Sequence, residues 1–204
     1  MNYTIIGAGK SGLASAILAK ENGDNVFLTE SKPVSAYADT SKQLDDHCID
    51  HEFGGHTPRA LSNAHCIITS PGVPPNAPVI EEAEARNIEI ISELEFAWRQ
   101  ISNPVISITG TNGKTTTTAL TEYILQQAGK SAIAAGNIGT PLSSLVKTLD
   151  KDTIVVLESS SYQLDRTIDF RPDVGIILNI TPDHLGYHGN FENYRMDNSH
   201  NYTA

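Results

Sequence analysis

A glycine-rich segment between an apolar strand and a helical stretch carries the strongest chemical signal in the sequence. Gly110-Thr111-Asn112-Gly113-Lys114-Thr115-Thr116 directly follows the apolar run Val105–Thr109. Successive backbone N–H groups at the positive end of a helix form a cradle for phosphate. Lys114 adds a positive charge for the β- and γ-phosphates, and the Thr115 hydroxyl is a ligand for Mg²⁺. The segment predicts a nucleotide phosphate site, although Ile108 occupies the first glycine position of a strict Walker A sequence.

Two further polar residues follow apolar strands and are candidates for holding the metal that accompanies nucleotide phosphates. Glu158 ends the run Thr153–Glu158, and His184 lies shortly after the run Asp173–Asn179. Taken alone, each is equally consistent with a solvated or structural side chain. After a phosphate loop, a carboxylate and a neutral imidazole are better interpreted as metal ligands. We therefore predict Lys114, Glu158 and His184 as catalytic residues, and the other histidines as structural.

A second glycine-rich turn lies near the N-terminus. Gly7-Ala8-Gly9-Lys10-Ser11-Gly12 follows the apolar strand Asn2–Ile6 and precedes a helical stretch. Such glycines permit a tight turn, close approach of a phosphate, and close packing of helix on strand. Glu30 ends the next strand, where a dinucleotide-binding fold places its ribose acid. The turn is compatible with a dinucleotide, with another nucleotide, and with a purely structural role; Ser70-Pro71-Gly72 ends a further strand at the same predicted edge.

The elements that must position these residues alternate between strands and helices, which predicts parallel sheets. The predicted strands are 2–6, 25–29, 65–69, 88–91, 105–109, 131–135, 153–158 and 173–179, and the predicted helices are 13–22, 39–48, 77–87, 92–100, 115–128 and 141–149. Ser92, with Glu95 three residues later, matches a capping box. The predicted fold class is α/β, with a Rossmann-like domain over 1–93 and a P-loop-type parallel α/β domain over 94–204.

The end of the sequence differs in character from the rest. From Arg195 onward it is polar and has no apolar period, which predicts a frayed segment. The second domain also lacks a clear closing element. We therefore expect the chain to be a truncated piece of a longer protein.

Composition limits the classes of partner. The 204 residues carry a formal net charge of −10, which argues against nucleic acid and acidic membrane surfaces as partners. No apolar run approaches the length of a membrane span, and no basic leader precedes the first strand. Cys48 and Cys66 have neither metal-binding nor redox spacing, so we expect free thiols in a cytoplasmic protein.

Several segments together resemble the Mur ligases, the ATP-dependent amide ligases of peptidoglycan synthesis. They are T-G-T-N-G-K-T-T at 109–116, Gly136-Asn137-Ile138-Gly139, E-S-S-S-Y-Q-L at 158–164 and N-I-T-P-D-H at 179–184. The segment G-A-G-K-S-G-L-A at 7–14, with Ser70-Pro71-Gly72, is similar to the branch of the family that adds D-glutamate. The resemblance extends from residue 1 to about residue 195.

The resemblance implies a three-domain, monomeric enzyme about twice as long as this chain. Its first domain would hold a UDP-sugar, and its central domain would hold ATP and Mg²⁺. The implied reaction is phosphorylation of the terminal carboxylate of UDP-N-acetylmuramoyl-L-alanine, followed by attack of the D-glutamate amine on the acyl phosphate. The implied ATP contacts are residues 110–116, the implied Mg²⁺ ligands are Thr115, Glu158 and His184, and the implied substrate contacts are Ser11, Gly12, Leu13, Glu30, Ser31, Lys32, Ser70, Pro71, Gly72, Asn137, Ser160, Gln163 and His184.

One position departs from the family pattern. The resemblance implies a modified, metal-holding lysine about fourteen or fifteen residues after the metal histidine. Asn198 and Ser199 stand there, and no lysine follows Lys151. Two alternatives therefore stay open beside a D-glutamate ligase: a fragment that binds nucleotide and UDP-sugar without catalysis, and a sibling ligase that adds another amino acid.

Overall fold

The computed structural model describes residues 1–137, 139–199 and 202. The first part of the chain forms one parallel sheet. Its elements are β1 (Asn2–Ile6), α1 (Lys10–Glu21), β2 (Asn25–Glu30), α2 (Ala38–Asp46), β3 (Asp50–Phe53), α3 (Arg59–Ser62), β4 (Cys66–Thr69), α4 (Pro78–Ala85) and β5 (Glu89–Ser92). The strand order is β3-β2-β1-β4-β5, so the chain reverses its direction of travel across the sheet between β1 and β4. Ligands of open parallel sheets bind at such a reversal, beyond the carboxyl ends of the strands.

Both faces of this sheet are covered by helices. Ile5 packs in a cluster with Leu28 and Ile68 on the face of α1, whereas its neighbour Ile6 packs with Ile67 and Ile80 on the face of α4. Adjacent strand residues point to opposite faces, so a strand that is covered on both sides is apolar throughout. This explains the adjacent isoleucines at the end of β1 and in β4, which are buried on opposite faces of the sheet.

The second part of the chain forms another parallel sheet. The helix α5 (Glu93–Trp98) leads into it, and the elements that follow are β6 (Val105–Thr109), α6 (Lys114–Gln127), β7 (Ala132–Gly136), β8 (Ile154–Glu158), α7 (Ser161–Leu164), β9 (Val174–Ile177), α8 (Leu185–His188) and α9 (Phe191–Asp197). The strand order is β7-β8-β6-β9. Ile108 of β6 pairs with Glu158 of β8 and with Ile176 of β9, so three strands end at one edge. The predicted α/β class with parallel sheets is confirmed.

The helix α5 lies between the two sheets and contacts elements of both. The Ser92 hydroxyl accepts the Glu95 N–H at 3.3 Å, as a helix cap does, but the reciprocal half of the capping box is absent. The buried Glu95 carboxylate instead accepts the backbone N–H groups of residues 168–170 at 2.9–3.1 Å, and Arg99 Nε donates to it at 2.7 Å. A side chain that the sequence assigns to a local cap therefore holds a distant turn.

Two predicted local structures are wrong. The helix expected over 141–149 is a single 3-10 turn over Leu142–Ser144. This segment packs against α5, where the Ser143 N–H donates to Glu93 Oε1 at 2.8 Å, and the contact with α5 determines its conformation. The frayed segment expected from Arg195 is helical to Asp197, and the buried Asn198 Oδ1 accepts the Thr109 hydroxyl at 2.7 Å. Residues 200, 201, 203 and 204 of that segment lie outside the described residues.

The strand β3 escaped sequence prediction. It pairs only with β2, and its residues Asp50–Phe53 are mostly polar. A strand at the edge of a sheet has a neighbouring strand on one side only and is more exposed to solvent. Polar residues are therefore common in it, and its hydrophobic pattern is weak. Within the described ranges, none of the helices is long and apolar enough to cross a membrane.

Candidate functional site

A cavity of about 710 Å³ lies at the carboxyl ends of β1, β2 and β4. The glycine turn after β1, the segment after β2, and the segment 70–78 after β4 form its walls. It brings together the predicted substrate residues Ser11, Glu30, Ser31, Lys32, Ser70, Pro71 and Gly72. Two predicted contacts on the same turn do not line it: Gly12 is buried against the turn, and Leu13 packs against the apolar core.

The glycine turn needs its glycines for close packing. A Cβ on Gly12 would lie 1.9 Å from the Gly7 carbonyl oxygen, so only glycine lets α1 start so near β1. Gly7 has φ +101°, a conformation that side chains with a Cβ rarely adopt. The Ser70 hydroxyl donates to the Gly7 carbonyl at 3.2 Å and joins the turn to the end of β4. The start of α1 thus packs closely on β1 and forms one wall of the cavity.

Glu30 is a buried carboxylate that holds this turn. Its Oε2 accepts the Ala8 N–H at 2.9 Å, while its Oε1 accepts the Lys32 N–H at 2.9 Å and the Ser31 hydroxyl at 3.1 Å. Burial opposes ionisation, but these hydrogen bonds outweigh it and hold the pKa of Glu30 below its ordinary value. Glu30 is therefore charged at neutral pH and lines the cavity as an acceptor.

The cavity also contains residues that the sequence did not single out as ligand contacts. Tyr37 and His56 both line it, and His56 was expected to be structural. The His56 Nδ1 lies 2.8 Å from the Thr29 hydroxyl, which in turn lies 2.8 Å from Glu52 Oε1. The signal in the sequence is Gly54-Gly55-His56, directly after β3. Because the sequence did not predict β3, it did not place His56 at the end of a strand.

The predicted phosphate loop, residues 110–116, lies at the end of β6 and leads into α6. Gly110 has φ +139°, and a Cβ there would approach the Asn179 carbonyl oxygen to 2.9 Å. Lys114 is half-buried, and its Nζ donates to the loop carbonyls of Gly110 at 2.6 Å and Thr111 at 3.1 Å. Thr115 and Thr116 lie exposed on the first turn of α6. The ammonium group thus lies inside the loop at the start of α6, where the first N–H groups of a helix have no partner within the helix.

Paired side chains tie this loop to the segment that carries His184. Asn179 Oδ1 accepts the Asn112 N–H, and Asn179 Nδ2 donates to the Asn112 carbonyl, both at 2.9 Å. The Thr111 hydroxyl donates to the Thr181 carbonyl at 3.1 Å and accepts the Thr181 N–H at 2.9 Å. These reciprocal pairs fix the two segments relative to each other.

Glu158 ends β8 with one carboxylate oxygen engaged and one bare. Its Oε1 accepts the Asn137 amide at 2.8 Å, whereas its Oε2 is buried and has no hydrogen-bond partner among the described residues. A buried acceptor without a partner costs free energy, and such exceptions call for an explanation. A carboxylate oxygen is the ligand type that Mg²⁺ prefers, so the bare Oε2 fits a cation beside the phosphate loop.

His184 is more open than Glu158. It begins α8 in a left-handed conformation with φ +51°, and 45% of its side chain is exposed. Its Nδ1 lies 3.6 Å from Asp183 Oδ1, and its ring lies 4.9 Å from the ring of Tyr162. In the part of the chain that the structure describes, no three His, Cys, Asp or Glu residues form a ready-made metal cluster. A metal at Glu158 would therefore need further ligands from nucleotide or water.

The remaining predicted substrate contacts already have protein partners. Gln163 Oε1 accepts both the N–H of Ser160, at 3.1 Å, and its hydroxyl, at 3.0 Å, as part of a capping box at the start of α7. Asn137 donates to Glu158, as described above. Their roles toward substrate stay predictions, and Ile138 of the same motif lies outside the described residues.

Both parts of the chain match models of one protein family. Residues 1–92 match the family model described as Mur ligase MurD-like, N-terminal domain, and residues 108–199 match that of the Mur ligase middle domain. The chain belongs to the Mur ligase family. This confirms the resemblance noted in the sequence.

Similar members of the Mur ligase family are considerably longer. The chain is 45% identical over 197 residues to the UDP-N-acetylmuramoylalanine–D-glutamate ligase of Salinibacter ruber, covering 94% of this chain and 42% of that protein. It is 44% identical over 190 residues to the ligase of the same name from Koribacter versatilis, covering 93% and 42%. The chain therefore spans about two fifths of the length of these relatives.

Solved structures of Mur ligase relatives share the fold. The UDP-N-acetylmuramate:L-alanyl-γ-D-glutamyl-meso-diaminopimelate ligase of Neisseria meningitides superimposes with a TM-score of 0.61 at 21% identity, over 96% of this chain and 65% of that one. A murein peptide ligase of Psychrobacter arcticus gives a TM-score of 0.56 at 23% identity, over 95% and 46%. At this identity the likeness supports the arrangement of strands and helices alone.

Proposed function

We propose that this Mur ligase uses ATP and Mg²⁺ to join D-glutamate to UDP-N-acetylmuramoyl-L-alanine. The observation that carries the proposal is the bare, buried Oε2 of Glu158 on the strand next to the phosphate loop. Because this oxygen lies on the strand next to the predicted phosphate loop, a cation bound with the nucleotide phosphates would supply the partner that it lacks. The names of the relatives at 44–45% identity support D-glutamate as the added amino acid.

The central sheet would hold the nucleotide. ATP supplies the phosphoryl group that activates the substrate carboxylate. The N–H groups at the start of α6 would receive phosphate oxygens, and Lys114 would exchange its bonds with the Gly110 and Thr111 carbonyls for bonds with phosphate. Glu158 and Thr115 would hold Mg²⁺, with His184 nearby on the segment tied to the loop. These residues would act by positioning two anions and neutralising their charge, which lowers the barrier without a covalent enzyme intermediate.

The first-sheet cavity would hold the UDP part of the substrate. The start of α1 offers N–H groups for a diphosphate at Ser11, while Glu30 and Lys32 flank the direction in which a nucleoside would extend. The helices α1 and α5 and the turn at Leu142–Ser144 connect this cavity to the central sheet, as in the contact between Ser143 and Glu93. A cytoplasmic location and a monomeric state stay predictions.

A ligation assay with alternative amino acids tests this function. Phosphate release and product formation are measured with the intact protein that contains this chain, UDP-N-acetylmuramoyl-L-alanine, Mg²⁺-ATP, and D-glutamate, L-glutamate or a diamino acid. We expect turnover with D-glutamate. Lys114→Ala should lower the rate about 10²- to 10³-fold, the usual effect of removing a preorganised electrostatic group.

Lys130→Ala provides the matched control, because Lys130 is an exposed lysine beyond the other end of α6. It should leave the rate unchanged. Full activity in Lys114→Ala would refute the role of the loop. Turnover with another amino acid would favour a sibling ligase. Binding of ATP and of UDP-N-acetylmuramoyl-L-alanine without turnover would favour a non-catalytic protein.

A further inference from the structure

A chain of three hydrogen-bonded side chains reaches the wall of the first-sheet cavity. Glu52 Oε1, the Thr29 hydroxyl and His56 Nδ1 follow one another at 2.8 Å and 2.8 Å. Thr29 lies on β2, Glu52 lies on β3, and His56 follows β3 and lines the cavity. Thr57 also donates to Glu52, through its N–H at 2.9 Å and its hydroxyl at 2.7 Å.

The direction of these hydrogen bonds determines where the imidazole carries its proton. Burial opposes ionisation of Glu52, but the hydrogen bonds outweigh it and lower its pKa, so the carboxylate can only accept. The single proton of the Thr29 hydroxyl therefore goes to Glu52. Its other neighbour, the Gly55 carbonyl at 3.5 Å, is also only an acceptor. In either case Thr29 must accept from His56, so the imidazole bears its proton on Nδ1.

A neutral His56 with its proton on Nδ1 presents a lone pair on Nε2. Nδ1 is occupied by Thr29, so Nε2 is the ring nitrogen left for a ligand in the cavity. Burial lowers the pKa of His56, against the opposing effect of the negative charges of Glu52 and Glu30, and keeps the ring neutral. Glu30 also lines the cavity and is likewise an acceptor. This end of the cavity therefore suits a ligand group that donates.

We propose that His56 is a specificity-determining residue, whose Nε2 accepts a hydrogen bond from the nucleoside part of the ligand. The inference rests on the proposed function, in which this cavity holds UDP. The start of α1 suits the diphosphate, and the nucleoside would extend toward β2 and β3, where Glu30 and His56 lie. A uridine has two kinds of donor to offer there: the N3–H of the uracil ring and the ribose hydroxyl groups.

Binding of UDP analogues to two isosteric variants tests the proposal. His56→Asn keeps an amide N–H near the Nδ1 position but removes the ε acceptor, whereas His56→Gln places an amide oxygen near the Nε2 position. Calorimetry on the full chain would use UDP, N3-methyl-UDP and 2′-deoxy-UDP. His47→Asn is the matched control, because His47 is exposed at the end of α2.

We expect His56→Asn to bind UDP about three- to tenfold more weakly than the wild type, the usual effect of one hydrogen bond. His56→Gln should recover part of the loss, and His47→Asn should match the wild type. The wild type should also lose affinity for one analogue, and His56→Asn should no longer discriminate against that analogue. Lost discrimination against N3-methyl-UDP identifies the uracil as the donor, and lost discrimination against 2′-deoxy-UDP identifies the ribose.

Two results would overturn the inference, and they are distinguishable. If the wild type binds UDP, and His56→Asn binds each of the three ligands as tightly as the wild type binds it, His56 has no role in specificity, although the proposed function stands. If the folded wild type binds no UDP, the proposed function of the cavity fails, and the inference fails with it. Circular dichroism of each variant confirms that the comparison is made between folded proteins.

Discussion

Replacing Glu158 with glutamine should separate the stability of this chain from its binding of nucleotide. The substitution keeps the shape of the side chain and an oxygen for the Asn137 amide, which now lies 2.8 Å from Oε1. It removes the negative charge and puts a neutral amide nitrogen in place of the bare oxygen, Oε2. Because that oxygen is costly to bury and suited to a cation, the same change should stabilise the ligand-free protein and weaken its binding of Mg²⁺-ATP.

The magnitudes follow from the environment of the carboxylate. A buried charge without a partner costs more than a buried neutral group without one, so we expect Glu158→Gln to raise the free energy of unfolding by about 1 kcal/mol without ligand. A ligand at a hundred times its Kd stabilises the wild type by about 2.7 kcal/mol. If loss of the metal ligand weakens binding of Mg²⁺-ATP at least tenfold, the same concentration of Mg²⁺-ATP should raise the variant's free energy of unfolding by no more than about 1.4 kcal/mol.

Urea denaturation with and without Mg²⁺-ATP measures both effects on one protein, and EDTA tests their dependence on the metal. Glu93→Gln is the matched control. Glu93 is also buried with a bare Oε2, and burial raises its pKa, but it lies at the contact between α5 and Ser143. Glu93→Gln should therefore respond to Mg²⁺-ATP as the wild type does.

Two results would contradict this reasoning. An equal gain from Mg²⁺-ATP in Glu158→Gln and the wild type would mean that the carboxylate does not hold the metal. A loss of more than about 1 kcal/mol in the ligand-free variant would mean that the charge of Glu158 stabilises the fold.

Two further predictions concern other carboxylates. Glu95→Gln should lower the free energy of unfolding, measured by urea denaturation, by about 2–4 kcal/mol, because the buried carboxylate accepts the N–H groups of residues 168–170. The control is Glu82→Gln at an exposed position, which should change the free energy of unfolding by no more than about 0.5 kcal/mol. Burial opposes ionisation of Glu52, but hydrogen bonds, chiefly from Thr57, lower its pKa, so its contribution is present above the ordinary pKa and is lost as the pH falls. Unfolding measured from about pH 5 to pH 3 should show a shallower loss of stability in Glu52→Gln than in the wild type; equal slopes would contradict the assignment.

Sequence patterns predicted the fold where the determining interactions are local. The strands β1, β4, β6 and β8 lie within or close to their predicted bounds, because sheets covered on both faces demand apolar runs. The glycine turn at the start of α6 was equally predictable, since the positive φ angles of Gly110 and Gly113 depend on their own turn. Its role in binding phosphate stays a prediction. The turn at Leu142–Ser144 and the strand β3 were not predictable in this way, because one is shaped by packing on α5 and the other lies at a polar edge.

The sequence by itself determined the α/β class, the two glycine turns and membership of the Mur ligase family, because each depends on residue types at fixed spacing. Only the tertiary structure decided what each acid does. Three glutamates at or near the ends of apolar elements look alike in the sequence: Glu30, Glu95 and Glu158. In the structure, Glu30 accepts from the turn after β1, and Glu95 accepts from a segment distant in sequence. Glu158 keeps one oxygen without a hydrogen-bond partner among the described residues. The number of donors around a carboxylate depends on chain segments far away in sequence, and only folding brings them together.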